Sequence, residues 1–151
     1  MRLNYPLPLD FSKLMKRGKQ KHPKCSLEES IRQHIFLMLV TRFGANRYAY
    51  DYGCELWKYD FDSPKTINSQ RPNLERSIKE LLQRFEPRLG DVSVSIQITA
   101  EDLPISKFGT VRKAKKKISI VIKGKMIETN RTFEPKPFIV YLSPIMLDMN
   151  S

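Results

Sequence analysis

Apolar residues recur every three or four positions in two segments of the chain, which is the spacing of one buried helical face. The first segment follows Ser26 and Glu29, whose S-x-x-E spacing forms a capping box. Asn73 can cap the second segment, and Pro87 disfavours helical geometry at the residue before it. The pattern predicts one helix from Ser26 to about Thr41 and another from Asn73 to just before Pro87. Their apolar positions are Leu27, Ile31, Ile35, Met38 and Leu39 in the first helix, and Leu74, Ile78, Leu81, Leu82 and Phe85 in the second.

The period changes from helical spacing to alternation in the last third of the chain. Residues 92–98 and 118–122 alternate branched apolar residues with mostly polar ones, which is typical of strands with one buried face, and residues 138–142 form a third apolar strand. Helices followed by strands predict an α+β fold, in which two helices pack on one face of a small antiparallel sheet. The segment between the helices is predicted to contain a loop at 44–53, a short strand at 54–61 and turns at 62–72.

The first 25 residues differ in character from the rest of the chain. Pro6 and Pro8 predict an extended backbone over residues 4–11, because proline fixes φ and biases its predecessor away from helix. Six basic residues follow with no acid between them, so we expect a mobile basic arm over residues 1–25. The remainder, residues 26–151, can bury a core and is predicted to form a single domain. The six basic residues are Lys13, Lys16, Arg17, Lys19, Lys21 and Lys24.

The charge of the chain indicates an acidic partner. The formal net charge is +11 and the isoelectric point about 9.8. A second basic cluster stands between the first two predicted strands and is interpreted as a solvated or protein-contacting face. Nucleic acid stays open as a partner, although no binding signature is present and the lysine runs lack interleaved aromatic residues for stacking. The members of this cluster are Arg112, Lys113, Lys115, Lys116 and Lys117.

The sequence carries none of the common catalytic or metal-binding motifs. There is no P-loop, H-E-x-x-H or G-x-S-x-G, and Cys25 and Cys54 have no CxxC partner, so we expect no cofactor and no metal. Glycoside hydrolysis needs only two carboxylates, which keeps a peptidoglycan-cleaving, muramidase-like enzyme open. Glu86, one candidate, is flanked by Arg84 and Arg88, and a nearby cation lowers a carboxyl pKa, which is wrong for a general acid.

A cytoplasmic location is expected from the start of the chain and from its cysteines. Residues 1–24 lack the apolar core of a signal peptide, and the longest apolar stretch, residues 35–40, is too short to cross a bilayer. Two cysteines without a disulfide framework are typical of reduced thiols.

Three short motifs stand in an order that resembles a known family. A capped apolar helix runs into Thr41-Arg42-Phe43-Gly44, and Gly53 follows Gly44 by nine residues, with Asp51 and Tyr52 just before it. Glu86-Pro87-Arg88 then lies between the second helix and the first alternating strand. Together, over about residues 26–99, these motifs resemble the GPW family of phage baseplate wedge proteins, whose type VI secretion member is TssE.

The resemblance implies a non-catalytic subunit in the baseplate of a contractile injection machine, of the type VI or the phage kind. Such a subunit docks on wedge proteins similar to TssF and TssG, at the periphery of a membrane-docked complex, and requires no nucleic acid. The family's small sheet is similar to the strand-exchange domain of the sheath subunit, so the protein would present a template for the first sheath ring. The old "lysozyme" label of the family gains no support from the residues.

Candidate partner-binding residues come from the same motifs. Pro87 would fix the directions of Glu86 and Arg88, so that opposite charges on a rigid corner offer a donor fork and an acceptor to a partner. An internal clasp between helix and strand is the alternative. An exposed strand edge, which presents unpaired N–H and C=O groups, is the second candidate surface. The candidates are Arg42, Gly44, Asp51, Gly53, Glu86, Pro87 and Arg88 for docking, and either Ile120, Val121 and Ile122 or Ile139, Val140 and Tyr141 for the edge.

Overall fold

Helices and a four-stranded antiparallel sheet build the α+β fold that the sequence predicts. The computed structural model describes residues 4–15, 23–102 and 111–148. The helices are α1 (Phe11–Met15), α2 (Leu27–Val40), a 3₁₀ helix (Glu55–Tyr59), α3 (Pro64–Ser69) and α4 (Arg71–Phe85). The strands are β1 (Leu89–Asp102), β2 (Val111–Met126), β3 (Arg131–Phe133) and β4 (Phe138–Asp148). No helix in these described ranges is long and apolar enough to cross a membrane.

Helix α2 confirms its predicted limits and its buried face. The Ser26 side chain accepts the Glu29 N–H at 3.1 Å, as a capping box requires. Helix α4 also buries the predicted stripe, but it begins at Arg71, so Asn73 is not its cap. Pro72 is compatible with this earlier start, because the first helical N–H groups have no partner within the helix. The buried stripe residues are Ile31, Ile35, Met38 and Leu39 in α2, and Leu74, Ile78, Leu81 and Leu82 in α4. The two other predicted positions, Leu27 and Phe85, are only partly buried and pack against this core.

The segment between α2 and α4 is more helical than predicted. The 3₁₀ helix replaces the strand expected at 54–61, and α3 replaces most of the turn expected at 62–72. The Ser63 side chain accepts the Thr66 N–H at 3.2 Å, and Pro64 stands in the first turn of α3. A capping serine followed by proline is a helix start, and the turn prediction gave that signal too little weight.

Strand β2 lies at the centre of the sheet. It pairs with β1 along one side, and with β4 and β3 along the other, always antiparallel. Because β2 begins at Val111, the basic cluster of residues 112–117 belongs to a strand and not to a connection, contrary to the prediction. Strand β3, of three residues, was not predicted.

The sheet buries one face against the helices and leaves the other open. The register aligns Ile96, Ile120 and Phe138 across three strands, and all three side chains are buried. The alternate positions of β1, such as Ser95 and Gln97, are exposed. The buried apolar residues of helices and sheet form one cluster, which is the core predicted by the two periods.

The start of the chain contacts α2. Asn4 forms an isolated antiparallel bridge with Cys25, and the Leu7 N–H donates to the Gln33 side chain at 2.8 Å. Residues 11–15 form α1, so the predicted extended backbone does not reach Phe11. Residues 16–22, the centre of the predicted basic arm, lie outside the described residues.

Candidate functional site

The chain turns from α4 into β1 within three residues, Glu86 to Arg88. Glu86 caps α4, and its N–H donates to the carbonyl oxygen of Leu82 at 2.8 Å. The N–H of Ile127, which follows β2, donates to the Arg88 carbonyl oxygen at 2.9 Å. This bond extends the ladder between β1 and β2 by one position beyond the pair of Leu89 and Met126, so the corner is joined to the end of β2.

Both oxygens of the Glu86 carboxylate are bound inside the protein. Arg88 donates through Nε to Oε1 at 2.6 Å and through Nη2 to Oε2 at 2.7 Å, which is a bidentate pair. Nδ1 of His34, on α2, lies 2.8 Å from Oε2. Arg88 also donates to the hydroxyl oxygen of Ser30, on α2, at 3.0 Å. The corner thus ties α4, β1 and α2 together.

The environment keeps Glu86 ionised. Burial favours the neutral acid and raises its pKa, but the hydrogen bonds and charges of Arg88 and His34 outweigh burial and lower the pKa to about 2. The hydrogen bond to Glu86 raises the pKa of Arg88 in turn. A carboxyl with so low a pKa holds no proton to donate at neutral pH, which is what a general acid must do.

The exposure of the corner corrects one expectation. Glu86 is only 1% exposed and its acceptor oxygens are occupied, so it is not offered to a partner as the sequence suggested. For Glu86 the internal clasp is the observed arrangement. Pro87 is exposed, and the Arg88 side chain keeps 29% of its surface open.

The two glycines of the loop at 44–53 are required by its backbone. Gly53 has φ of 126°, and a Cβ there would lie 2.6 Å from the carbonyl oxygen of Arg42. Gly44 has φ of 78°. The loop closes on the end of α2, where Cys54 donates its N–H to the Thr41 carbonyl oxygen at 2.8 Å. The spaced glycines therefore have a structural role.

The same loop is attached to α4 beside the corner. Asp51 forms an ion pair with Arg84, and the Tyr52 ring meets the Phe85 ring edge-on at 5.2 Å between centroids. Tyr52 also stacks on His34 at 6.2 Å. The loop and the corner, 33 residues or more apart in the sequence, thus form one polar and aromatic cluster. Arg42 lies at its margin, largely exposed, with its guanidinium 5.8 Å from the centre of the Trp57 ring.

Lys116 is not on a solvated face as predicted, because its side chain is 0% exposed. Its ammonium group donates to the carbonyl oxygens of Tyr59, at 3.4 Å, and Asp62, at 2.8 Å, and also to that of Asp60. Tyr59 is the last residue of the 3₁₀ helix, and Asp60 and Asp62 lie in the turn that follows it, so the ammonium group binds the carbonyls at this end of the helix. Burial lowers the lysine pKa, while the Asp60 and Asp62 carboxylates oppose that shift. The only sequence signal of this role is that Lys116 stands two positions before Ile118, in line with the alternating buried positions of β2.

The sheet has two long edge strands, β1 and β4, and this corrects one candidate edge. Ile120, Val121 and Ile122 lie in central β2, paired with β1, so they form no free edge. Ile139, Val140 and Tyr141 lie in β4, whose other side pairs with no strand in the described part of the chain.

Hydrogen bonding shows which groups face outward at these edges. The Ile96 N–H, in β1, donates to the Glu75 carboxylate of α4 at 2.9 Å and therefore points away from β2. Antiparallel ladders alternate, so Ile96 and Ile120 form a non-hydrogen-bonded pair and Ile120 faces β4. By the same alternation, Ile139 and Tyr141 direct their backbone groups away from the sheet.

An apolar groove along α2 was not predicted. Phe36, Leu37 and Val40 point outward from α2, and Leu7 and Pro8 of the first segment line the opposite wall. Leu37 follows His34 by three positions and so lies one turn further along the same side of the helix. The groove is therefore close to the corner.

Comparison with known proteins identifies the family. The family model described as "Baseplate wedge protein gp25" matches residues 25–131, which include the loop, the corner and most of the sheet. The protein is thus of the class that builds phage tail baseplates. The chain belongs to the GPW family of baseplate wedge proteins, as the three motifs indicated.

One similar solved structure is that of a "putative tail lysozyme" from Geobacter sulfurreducens, at 1.44 Å resolution. It is 21% identical, covers 87% of this chain and 100% of its own, and has a TM-score of 0.47. Among curated proteins, none matches this chain.

Proposed function

We propose that the protein is a non-catalytic, TssE-like baseplate subunit of a contractile injection machine, on which the sheath is nucleated. The observation that carries this proposal is the open edge of β4 in a member of a baseplate family. Ile139 and Tyr141 direct backbone groups outward there, with which no strand of the described ranges pairs, and their side chains are 45% and 41% exposed. A strand of the sheath subunit can add to such an edge. The proposed location is cytoplasmic, at the periphery of a membrane-docked complex.

We propose the α2 groove and the neighbouring Arg88 as the surface that docks on wedge proteins similar to TssF and TssG. Three large apolar side chains, Phe36, Leu37 and Val40, are partly exposed on one helix, which is unusual for a surface without a partner. Arg32 and Arg88 supply positive charge near them, so an amphipathic helix with acidic residues fits both features. Arg42, Gly44, Asp51 and Gly53 would act by holding the adjacent loop.

The two alternatives find less support in the site. A muramidase would need a protonated acid, whereas the pKa of Glu86 is lowered to about 2. A nucleic-acid binder would use free cations, and three lysines of β2 are engaged within the chain: Lys116 is buried, Lys117 pairs with Glu101 at 2.9 Å, and Lys123 pairs with Glu134.

Affinity capture from the native host tests the proposed function. Wild-type protein should recover wedge and sheath proteins. Phe36→Ser should lose the wedge proteins, because it removes an apolar anchor from the groove. Phe61→Ser is the matched control, since Phe61 is an exposed phenylalanine away from the groove, at 89% exposure, and this variant should capture as the wild type does.

Incubation of the purified protein with cell-wall sacculi tests the enzymatic alternative. Release of soluble fragments that disappears in Glu86→Gln would contradict the proposed function.

In the affinity capture, recovery of wedge proteins by Phe36→Ser at the wild-type level would exclude the groove as the docking surface.

A further inference from the structure

The two edges of this sheet are chemically unequal. At the β4 edge, the outward N–H groups of Ile139 and Tyr141 have no strand or side-chain acceptor among the described residues. At the β1 edge, the outward Ile96 N–H is already bonded to the Glu75 carboxylate at 2.9 Å. Edge strands with free backbone groups pair readily with other chains, so a difference of this kind determines which edge can grow.

The position of Glu75 follows from the packing of α4. Its neighbours Leu74 and Ile78 are buried in the core, and α4 packs on β1. Glu75 is partly exposed at the margin of this contact, from which its side chain reaches the backbone of β1. An incoming strand would have to displace the carboxylate to bond Ile96, and its own carbonyl oxygens would face a negative charge.

We propose that Glu75 closes the β1 edge to strand addition, so that the sheet accepts a partner strand at β4 alone. The strand that Glu75 excludes is β4 of a second copy of this chain. Pairing of β1 in one copy with β4 in the next is a head-to-tail contact, which joins successive copies into rings or open filaments. Glu75 thereby keeps the β4 edge available.

Sedimentation velocity over a range of protein concentrations tests this role. Glu75→Ala frees the Ile96 N–H, and its weight-average mass should rise with concentration to at least about twice that of the monomer. Glu75→Gln retains an acceptor oxygen and should stay monomeric. Glu80→Ala, a variant with the same charge change at an exposed position of α4, should also stay monomeric.

Two further measurements make the test decisive. Adding Ile139→Pro to Glu75→Ala should abolish the association, because it removes a donor from the β4 edge. The second measurement uses the wild type and so does not depend on the folding of any variant. The backbone amide of Ile96 should exchange with solvent more slowly than the outward amides of Val94 and Ile98. A folded Glu75→Ala that remains monomeric, association that survives Ile139→Pro, or equal exchange of the three amides would each overturn the proposal. None of these results depends on sheath or wedge proteins, so the proposed function is tested separately.

Discussion

A single buried carboxylate organises the site at the scale of residues. Glu86 accepts two hydrogen bonds from Arg88 and lies 2.8 Å from His34, so three elements meet at one charge. A corner that offered both charges to a partner would keep its fold without Arg88. The structure indicates the opposite, because Arg88→Ala would leave a buried carboxylate without its main partner, and an uncompensated buried charge is strongly destabilising.

The lowered pKa of Glu86 predicts a stability that depends on pH. Because its pKa is about 2 in the folded protein and about 4.5 ordinarily, the unfolded chain binds more protons between these values. The stabilisation, on the order of 3 kcal/mol, is therefore complete above pH 4.5 and is lost as the pH falls towards 2. Urea unfolding between pH 7 and pH 2 should show this loss in the wild type.

Glu86→Gln should be less stable than the wild type at pH 7 and should lack this part of the pH dependence, since it has no carboxyl to titrate. Glu80→Gln, on the exposed side of α4, is the control and should follow the wild-type curve. If Glu86→Gln loses as much stability in acid as the wild type, the ion pair is not its source.

At the scale of elements, the arrangement of the strands determines which surface can bind another chain. Strand β2 is enclosed by β1 on one side and by β3 and β4 on the other, which leaves β4 as the outer strand with exposed apolar side chains. The backbone groups of successive β4 residues point alternately towards β2 and away from it, so neighbouring residues have different roles. Val140 bonds to β2 and is buried, whereas Ile139 and Tyr141 face outward.

This alternation predicts opposite effects of proline at adjacent positions of β4. Ile139→Pro removes an outward donor and should leave the fold intact while preventing the start of sheath polymerisation. Val140→Pro removes a bond to β2 and a buried side chain, so it should lower the free energy of unfolding by about 2–4 kcal/mol. Light scattering of sheath growth and thermal unfolding would measure the two effects. Normal nucleation by a folded Ile139→Pro would show that the β4 edge is not the template.

At the scale of the whole molecule, a net charge of +11 surrounds a single apolar core. The open face of the sheet carries Lys117 and Lys123, each paired with a glutamate, and Lys115, whose ammonium lies 4.1 Å from the centre of the Tyr141 ring. These contacts reduce the positive field locally but not the net charge. The protein should therefore attract acidic surfaces over distances of about one Debye length, roughly 8 Å at physiological salt.

The net charge predicts that docking on wedge proteins slows as salt increases. Electrostatic attraction acts mainly on association, so the association rate constant should fall at least about tenfold between low and high salt, with a smaller change in dissociation. Surface plasmon resonance over a salt series would measure both rates. An association rate constant that is independent of salt would show that charge does not guide docking. Duplex DNA is the comparison, and tight binding to it at physiological salt would favour the nucleic-acid alternative.

Local sequence information was sufficient to predict each element whose apolar residues contact the core at a regular spacing. The stripes of α2 and α4, the Ser26 cap and the alternation of β1 were all predicted, because each depends on neighbours within a few positions. The Glu-Pro-Arg corner was also located correctly, since proline limits its own backbone and that of the residue before it.

Contacts between distant residues could not be read from these patterns. His34 meets Glu86 across 52 positions, Lys116 reaches carbonyl oxygens more than 50 positions away, and Glu75 reaches Ile96 across 21. Strand order was equally hidden, because an alternating strand has the same pattern at the centre of a sheet as at its edge. Burial of a charge and the freedom of a strand edge depend on what packs beside them, and the packing exists only once the chain has folded.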